Sequence, residues 1–180
     1  IRDRVTPKQL AVIAENLASQ GARNINWVGG DPIPHTYAIL SAMKHISTNI
    51  CMLWNSNFYC SQETMKLLFD VIDFWLPDMK YYSNKCAKRL SKVDNYWEII
   101  SRNHKIAYKS VEKGTAGMII RHLVLPNHFE CCTKPILEWI AKNCPKALVN
   151  IMGQYRPMHL VSSTSYPDIN RPPKMSEMSQ

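Results

Sequence analysis

Four consecutive residues near the start of the chain, Gly29, Gly30, Asp31 and Pro32, have the composition of a ligand-binding turn. They follow a β-prone run at 25–28, which the two glycines end. Glycines at the carboxyl end of a strand permit a sharp turn and let a ligand approach bare main chain. Asp31 adds a carboxylate, and Pro32 stiffens the turn. An ordinary surface turn explains these four residues equally well in isolation, and their spacing is not that of a dinucleotide-binding glycine motif.

Polar residues also follow two further predicted strands. Asn55 and Asn57 come after a strand predicted at 50–54. Asp78 and Lys80 come after a strand predicted at 71–76, and because they are two positions apart in extended chain, both point to the same face. For this pair a ligand contact and a surface ion pair of little energetic value remain equal alternatives.

Arg121 and His122 interrupt a strand predicted at 118–125 that is otherwise apolar on both faces. A charge in such a strand is costly unless it is paired or faces a cavity. An anionic ligand would pair it, and so would Asp31 or Asp78 as a purely structural partner. We interpret the interruption as functional.

Predicted helices and strands alternate along the chain and must position these side chains. Thr6, Pro7 and Gln9 form a capping box that begins the first helix, and Gly21 ends it. The strands are predicted at 25–28, 50–54, 71–76, 118–125 and 147–152. This alternation predicts an α/β fold with βαβ units, a mostly parallel sheet and right-handed crossovers that wind it into an open or closed barrel.

The composition is typical of a globular domain. The 180 residues, 46% hydrophobic and 20% charged, fit a single domain. We predict this domain at 1–161 and a Pro- and Ser-rich surface tail at 162–180. The net charge of +8 is dispersed, which favours a solvated surface over specific nucleic-acid binding.

No apolar run reaches the roughly 18 residues of a membrane span, so no membrane association is predicted. The six cysteines are scattered, which is typical of reduced thiols in a cytoplasmic protein.

A metal site is the obvious hypothesis for His122, His128, Cys131 and Cys132. Their spacing matches no zinc template, because a Cys-x-x-Cys pair is missing and adjacent cysteines rarely bind one ion. We therefore predict neither a metal ligand nor a catalytic residue within this chain.

Four segments together resemble a known family. They are Asn-Ile-Asn-Trp-Val-Gly-Gly-Asp-Pro at 24–32, Trp-Asn-Ser-Asn at 54–57, Leu-Pro-Asp-Met-Lys-Tyr at 76–81 and Ile-Ile-Arg-His-Leu-Val-Leu-Pro-Asn-His at 119–128. In this order they resemble the radical S-adenosylmethionine (radical SAM) enzymes and, within them, proteins similar to the pyruvate formate-lyase-activating enzyme. The resemblance covers most of residues 6–160 and implies a partial (β/α)₆ TIM-like barrel with an incomplete first β/α unit.

The resemblance also implies which residues contact S-adenosylmethionine. They are Gly29, Gly30, Asp31, Pro32, Asn55, Asn57, Asp78, Lys80 and Arg121. The family's Gly-Gly-Glu motif holds the amino group of the methionyl moiety, and here Asp31 replaces the glutamate with a side chain one methylene shorter. Arg121 matches an arginine that faces the methionyl carboxylate, a pairing that suits its forked donors.

One departure is large, because the family's Cys-x₃-Cys-x₂-Cys loop for a 4Fe–4S cluster is absent from the sequence. In the family that loop lies shortly before a helix like the one that follows Thr6. We therefore expect this chain to be the C-terminal part of a longer enzyme, with the cluster ligands upstream of Ile1 and with no activity of its own.

The resemblance implies a 5′-deoxyadenosyl radical that abstracts hydrogen, as in an activase acting on a glycyl-radical protein with the help of an electron donor. Two alternatives remain open. One is a radical enzyme acting on another substrate. The other is a non-catalytic α/β binding module that docks a protein partner.

Overall fold

The computed structural model describes residues 4–178, and a five-stranded parallel sheet forms its centre. The strands lie in chain order, each paired in parallel with the next. They are β1 (Asn24–Trp27), β2 (Cys51–Ser56), β3 (Phe74–Pro77), β4 (Gly117–Leu123) and β5 (Leu148–Met152). The predicted α/β class and parallel, partial TIM-like barrel are confirmed.

Helices connect consecutive strands, and α1 precedes strand β1. They are α1 (Pro7–Ser19), α2 (Thr36–Met43), α3 (Gln62–Leu68), α4 (Asn84–Ser91), α5 (Tyr96–Glu112) and α6 (Lys134–Asn143), followed by the short α7 (Met175–Met178). No helix within residues 4–178 is both long and apolar enough to cross a bilayer.

The start of α1 is built as the sequence predicts. The Gln9 backbone N–H donates to Thr6 Oγ1 at 3.3 Å, and the Thr6 backbone N–H donates to Gln9 Oε1 at 2.8 Å. This reciprocal capping box satisfies backbone donors that have no partner within the helix.

Strand β3 begins three residues later than predicted, at Phe74 rather than Val71. Asp73 accounts for the difference, because its carboxylate accepts a hydrogen bond from the Met52 backbone N–H at 2.7 Å and so ends the preceding turn against β2. Ile72 is buried although it lies outside the strand. The strand was therefore predicted to begin too early, because Ile72 in the preceding turn is also buried in the core.

The two faces of the sheet have different surroundings. On one face Trp54 and Trp75 are fully buried against the helices, and Trp75 Nε1 donates to Ser110 Oγ of α5 at 2.9 Å. On the other face the alternate positions, such as Asn55 and Arg121, are only partly buried. The carboxyl ends of the strands thus carry polar side chains on the face opposite the helix layer.

The C-terminal segment packs on the rest of the chain through a 3₁₀ turn at Pro167–Ile169. Ile169 is buried, and Asp168 pairs with Arg89 of α4. Arg171 and Glu177 form an ion pair at 2.7 Å within the segment. The division into a domain and a tail stays a prediction, and its limits at residues 1–3 and 179–180 lie outside the described residues.

Candidate functional site

A cavity of about 220 Å³ lies at the carboxyl ends of β1 to β4. Its lining residues are Val28, Gly30, Asp31, Asn55, Ser56, Asn57, Asp78, Lys80 and Arg121. Seven of the nine residues predicted as ligand contacts are among them, while Gly29 and Pro32 flank the cavity in the chain without lining it. Ligands of parallel α/β folds bind at this edge of the sheet.

The glycine pair after β1 has the backbone conformation that its turn demands. Gly29 has φ +103° and Gly30 has φ +51°, both in the left-handed region that L side chains rarely adopt. A Cβ atom at either position would meet no other atom within 4 Å. Backbone conformation, not lack of space, therefore favours glycine here.

The carboxylate of Asp31 joins the loop after β1 to the loop after β2. It accepts hydrogen bonds from the backbone N–H groups of Ile33 at 3.0 Å and Asn57 at 2.7 Å, and from Ser56 Oγ at 3.2 Å. A carboxylate has about four acceptor positions, so three are used within the chain. Asp31 therefore holds the two loops that line the cavity, and one acceptor position remains for a ligand.

Asp78 forms ion pairs with two cations at the carboxyl ends of β3 and β4. Its Oδ1 lies 2.6 Å from Arg121 Nη2, and its Oδ2 lies 2.8 Å from Lys80 Nζ. The sequence allowed either Asp31 or Asp78 as a structural partner of Arg121, and the structure shows that the partner is Asp78. With Asp31, the cavity therefore contains two carboxylates and two cations.

Arg121 keeps unused hydrogen-bonding capacity. Among the described residues nothing accepts a hydrogen bond from its Nε, which is buried. A buried donor without an acceptor is costly. The atom therefore marks a place where an anionic group would be stabilised.

His122 lies on the opposite face of β4, away from the cavity. Its Nδ1 donates to the Met79 carbonyl at 2.7 Å, and its Nε2 lies 2.9 Å from Thr133 Oγ1 as an acceptor. Burial lowers the pKa of the imidazole and so favours the neutral form. The functional interpretation of the Arg121–His122 pair therefore does not extend to His122, which joins β4 to its neighbours.

A second group of chemically active side chains lies on the segments that follow β3 and β4, in α4 and in the turn before α6. The Cys86, His128, Cys131 and Cys132 ligand atoms all lie within 4.8 Å of one another. Burial raises the pKa of Cys131 to about 12 and also raises that of Cys132. The sequence pattern placed His122 in this group and gave no sign of Cys86, because α4 approaches the later cysteines only in the folded chain.

Comparison with known proteins gives one relative of high identity. The chain is 47% identical over 165 residues to the uncharacterized protein MJ0674 of Methanocaldococcus jannaschii, an alignment that covers 92% of the chain and 46% of that protein. The chain therefore spans about half the length of this curated relative. No protein-family model matches the chain.

Solved structures show the same fold at low sequence identity. SuiB of Streptococcus suis bound to S-adenosylmethionine superposes with a TM-score of 0.68 at 12% identity, over 98% of this chain and 39% of SuiB. SuiB bound to its precursor peptide SuiA gives a TM-score of 0.58 at 12% identity, over 94% of this chain and 36% of SuiB. The likeness establishes a shared fold.

Proposed function

We propose that the cavity binds S-adenosylmethionine and that the chain is the cosubstrate-binding part of a radical SAM enzyme. The observation that carries the proposal is the charge arrangement. Asp31 and Asp78 balance Lys80 and Arg121, and the buried Arg121 Nε points to an anionic ligand group. A cavity with no net charge suits a zwitterion such as the methionyl moiety.

The chain's own residues fit the methionyl half of the molecule. The remaining acceptor position of Asp31 would hold the ammonium group, and Arg121 Nε would donate to the carboxylate. Asn55, which lines the cavity between them, offers an amide to either group. The volume of about 220 Å³ is below the roughly 300 Å³ at which pockets for drug-sized ligands begin. The proposal therefore assigns only the amino-acid half to this cavity.

After one-electron reduction of its sulfonium and cleavage of the bond to the 5′ carbon, bound S-adenosylmethionine would release methionine and supply the 5′-deoxyadenosyl radical for hydrogen abstraction. The residues of the cavity do not fit an iron–sulfur cluster, because no cysteine among residues 4–178 lines it. Since the chain spans 46% of MJ0674, the proposal assigns the ligands of a 4Fe–4S cluster to a part of the protein outside the described residues.

The substrate belongs to the same proposal. The resemblance to activating enzymes favours a protein glycine, and the SuiB complex with its precursor peptide shows that a protein of this fold binds a peptide. We assign a protein or peptide substrate, with an activase reaction on a glycyl-radical protein as the specific form. The radical SAM assignment does not depend on that form.

Binding of S-adenosylmethionine to the full-length protein tests the site by titration calorimetry under anaerobic conditions. We expect Arg121→Met to weaken binding at least tenfold, or about 1.4 kcal/mol. Arg102→Met is the matched control, because Arg102 donates to the Cys60 carbonyl at 2.9 Å and lines no part of the cavity. Equal affinities of Arg121→Met and the wild type would refute the assigned site.

Release of 5′-deoxyadenosine after reduction tests the reaction. The full-length protein should form it, and a candidate glycyl-radical protein should then show a glycyl radical by electron paramagnetic resonance. Cleavage of S-adenosylmethionine without a glycyl radical would refute the activase reaction but not the assignment as a radical SAM enzyme. Tight binding without any cleavage would favour the non-catalytic binding module.

A further inference from the structure

We propose that Cys86, His128, Cys131 and Cys132 form a structural Zn²⁺ site that is separate from the proposed cosubstrate cavity. Cys86 lies in α4, and the other three residues lie in or just before the π-helical turn Phe129–Thr133 that precedes α6. None of the four lines the cavity. Three thiolates and one imidazole are a common tetrahedral ligand set for zinc.

Four of the six distances between ligand atoms match a single tetrahedral ion, and all six lie within 4.8 Å. With zinc–sulfur bonds of about 2.3 Å, two sulfurs at tetrahedral angles lie about 3.8 Å apart, and a sulfur and a nitrogen lie about 3.5 Å apart. The Sγ atoms of Cys86 and Cys131 are 3.7 Å apart, and those of Cys131 and Cys132 are 3.9 Å apart. His128 Nδ1 lies 3.5 Å from Cys86 Sγ and 3.2 Å from Cys131 Sγ.

The other nitrogen of His128 is held as in a zinc-binding histidine. His128 Nε2 lies 3.2 Å from Asp168 Oδ2 and 3.2 Å from Arg89 Nη2. With Nδ1 on the metal, Nε2 carries the proton and donates to Asp168, whose carboxylate also pairs with the Arg89 guanidinium. Arg89 is itself a donor, so in this tautomer it bonds to Asp168 and not to Nε2. Such a carboxylate orients the imidazole. Asp168 is thus a positioning residue.

The surroundings favour a closed site for one ion over an iron–sulfur cluster. In a four-iron cluster each thiolate binds a different corner, which requires more space between sulfurs than ligands of one ion have. Here all four ligand atoms lie within 4.8 Å. Four protein ligands complete a tetrahedral shell and leave no open position for a substrate. Cys132 and His128 are buried, Cys86 is partly buried and Cys131 is exposed, so the group lies at the edge of the core.

The site would fasten three remote parts of the chain to one another. It joins α4 to the turn before α6, and through Asp168 it holds the C-terminal segment 162–178. Loss of the metal should therefore release that segment more than the sheet. Limited proteolysis reports this effect independently of any enzymatic activity.

The metal content of the full-length protein, purified anaerobically with reduced thiols, tests the proposal. We expect one zinc ion per chain by mass spectrometry, at least a tenfold loss in Cys86→Ser, and full retention in the control Cys51→Ser, whose thiol lies outside the group. Cobalt substitution of the wild type should give the absorption of tetrahedral cobalt bound to thiolates. Removal of zinc by a chelator should accelerate cleavage within 162–178.

Asp168→Asn tests the positioning role. It should keep one zinc per chain but weaken zinc affinity roughly 10- to 100-fold, while Asp94→Asn, at an exposed ion pair with Lys88, should leave it unchanged. The proposal fails if the reduced wild-type protein takes up neither zinc nor cobalt. It fails equally if Cys86→Ser retains zinc, or if that variant loses iron and sulfide instead. The cobalt titration decides even if Cys86→Ser does not fold.

Discussion

Replacing Asp78 by asparagine should destabilise the protein more than replacing Arg121 by methionine, although the two residues form one ion pair. Asp78 is 9% exposed and balances both Arg121 and Lys80. Asp78→Asn removes the carboxylate that pairs directly with both Lys80 and Arg121, and leaves Asp31 to balance two cations. Arg121→Met leaves Asp78 paired with Lys80.

The magnitude follows from the burial of each partner. Removing one member of a fully buried pair costs about 3–5 kcal/mol. Because the side chains of Lys80 and Arg121 are 39% and 23% exposed, solvent screens part of that cost. We expect Asp78→Asn to lower the free energy of unfolding by about 2–3 kcal/mol and Arg121→Met by about 1 kcal/mol. The double variant should cost about 1 kcal/mol less than the sum.

Urea unfolding of the full-length protein, followed by tryptophan fluorescence, measures these changes, since Trp54 and Trp75 are fully buried. Asp94→Asn is the matched control, because the Lys88–Asp94 side chains are 60% and 68% exposed and their pair should contribute under about 0.5 kcal/mol. Equal costs for Asp78→Asn and Arg121→Met, or additive single effects, would refute this account of the charges.

Three further changes address the turn, a buried histidine and a helix end. Gly29→Ala should cost about 1–3 kcal/mol of stability from backbone strain and weaken S-adenosylmethionine binding, whereas Gly114→Ala, at φ +74°, should cost stability alone. Burial lowers the pKa of His104 from 6.5 to about 4, so only the unfolded chain takes up a proton between these values. Stability present above pH 6.5 should therefore fall by roughly 3 kcal/mol as the pH falls to about 4, and His104→Leu should remove that part of the pH dependence. Thr6→Ala should cost about 1 kcal/mol through loss of the capping box.

Urea unfolding measures each of these changes, over a pH series for His104. If Gly29→Ala binds S-adenosylmethionine as tightly as the wild type, the conformation of this turn does not contribute to ligand binding. An identical pH dependence in His104→Leu and the wild type would show that His104 does not titrate as its burial implies. A Thr6→Ala cost no larger than that of the exposed helical control Ser19→Ala would assign no stability to the capping box.

Local signals in the sequence predicted most of the elements and where the cavity would lie. Capping of α1 depends on Thr6 and Gln9, three positions apart, and the alternation of strands with helices fixes a parallel sheet. Since parallel strands end at one edge, polar residues such as Asn55 and Asp78 at separate strand ends could be grouped before their contacts were known.

Contacts between distant segments account for the rest. Two of the three hydrogen bonds that the Asp31 carboxylate accepts come from Ser56 and Asn57, and no local sequence pattern reveals them. Cys86 joins Cys131 only because α4 packs near the turn before α6, 45 positions further along. The start of β3 was missed because Ile72 enters the core from a turn, and burial alone does not distinguish a turn from a strand.

The strand order of the sheet also bears on how the protein assembles during its synthesis. Because the strands lie in the order in which the ribosome makes them, each strand after β1 can pair with a neighbour that has already emerged. The contact of Arg89 with Asp168 is different, since it joins residues 79 positions apart. A released chain that ends before Asp168 should therefore still form the sheet, while α4 lacks the ion pair between Arg89 and Asp168.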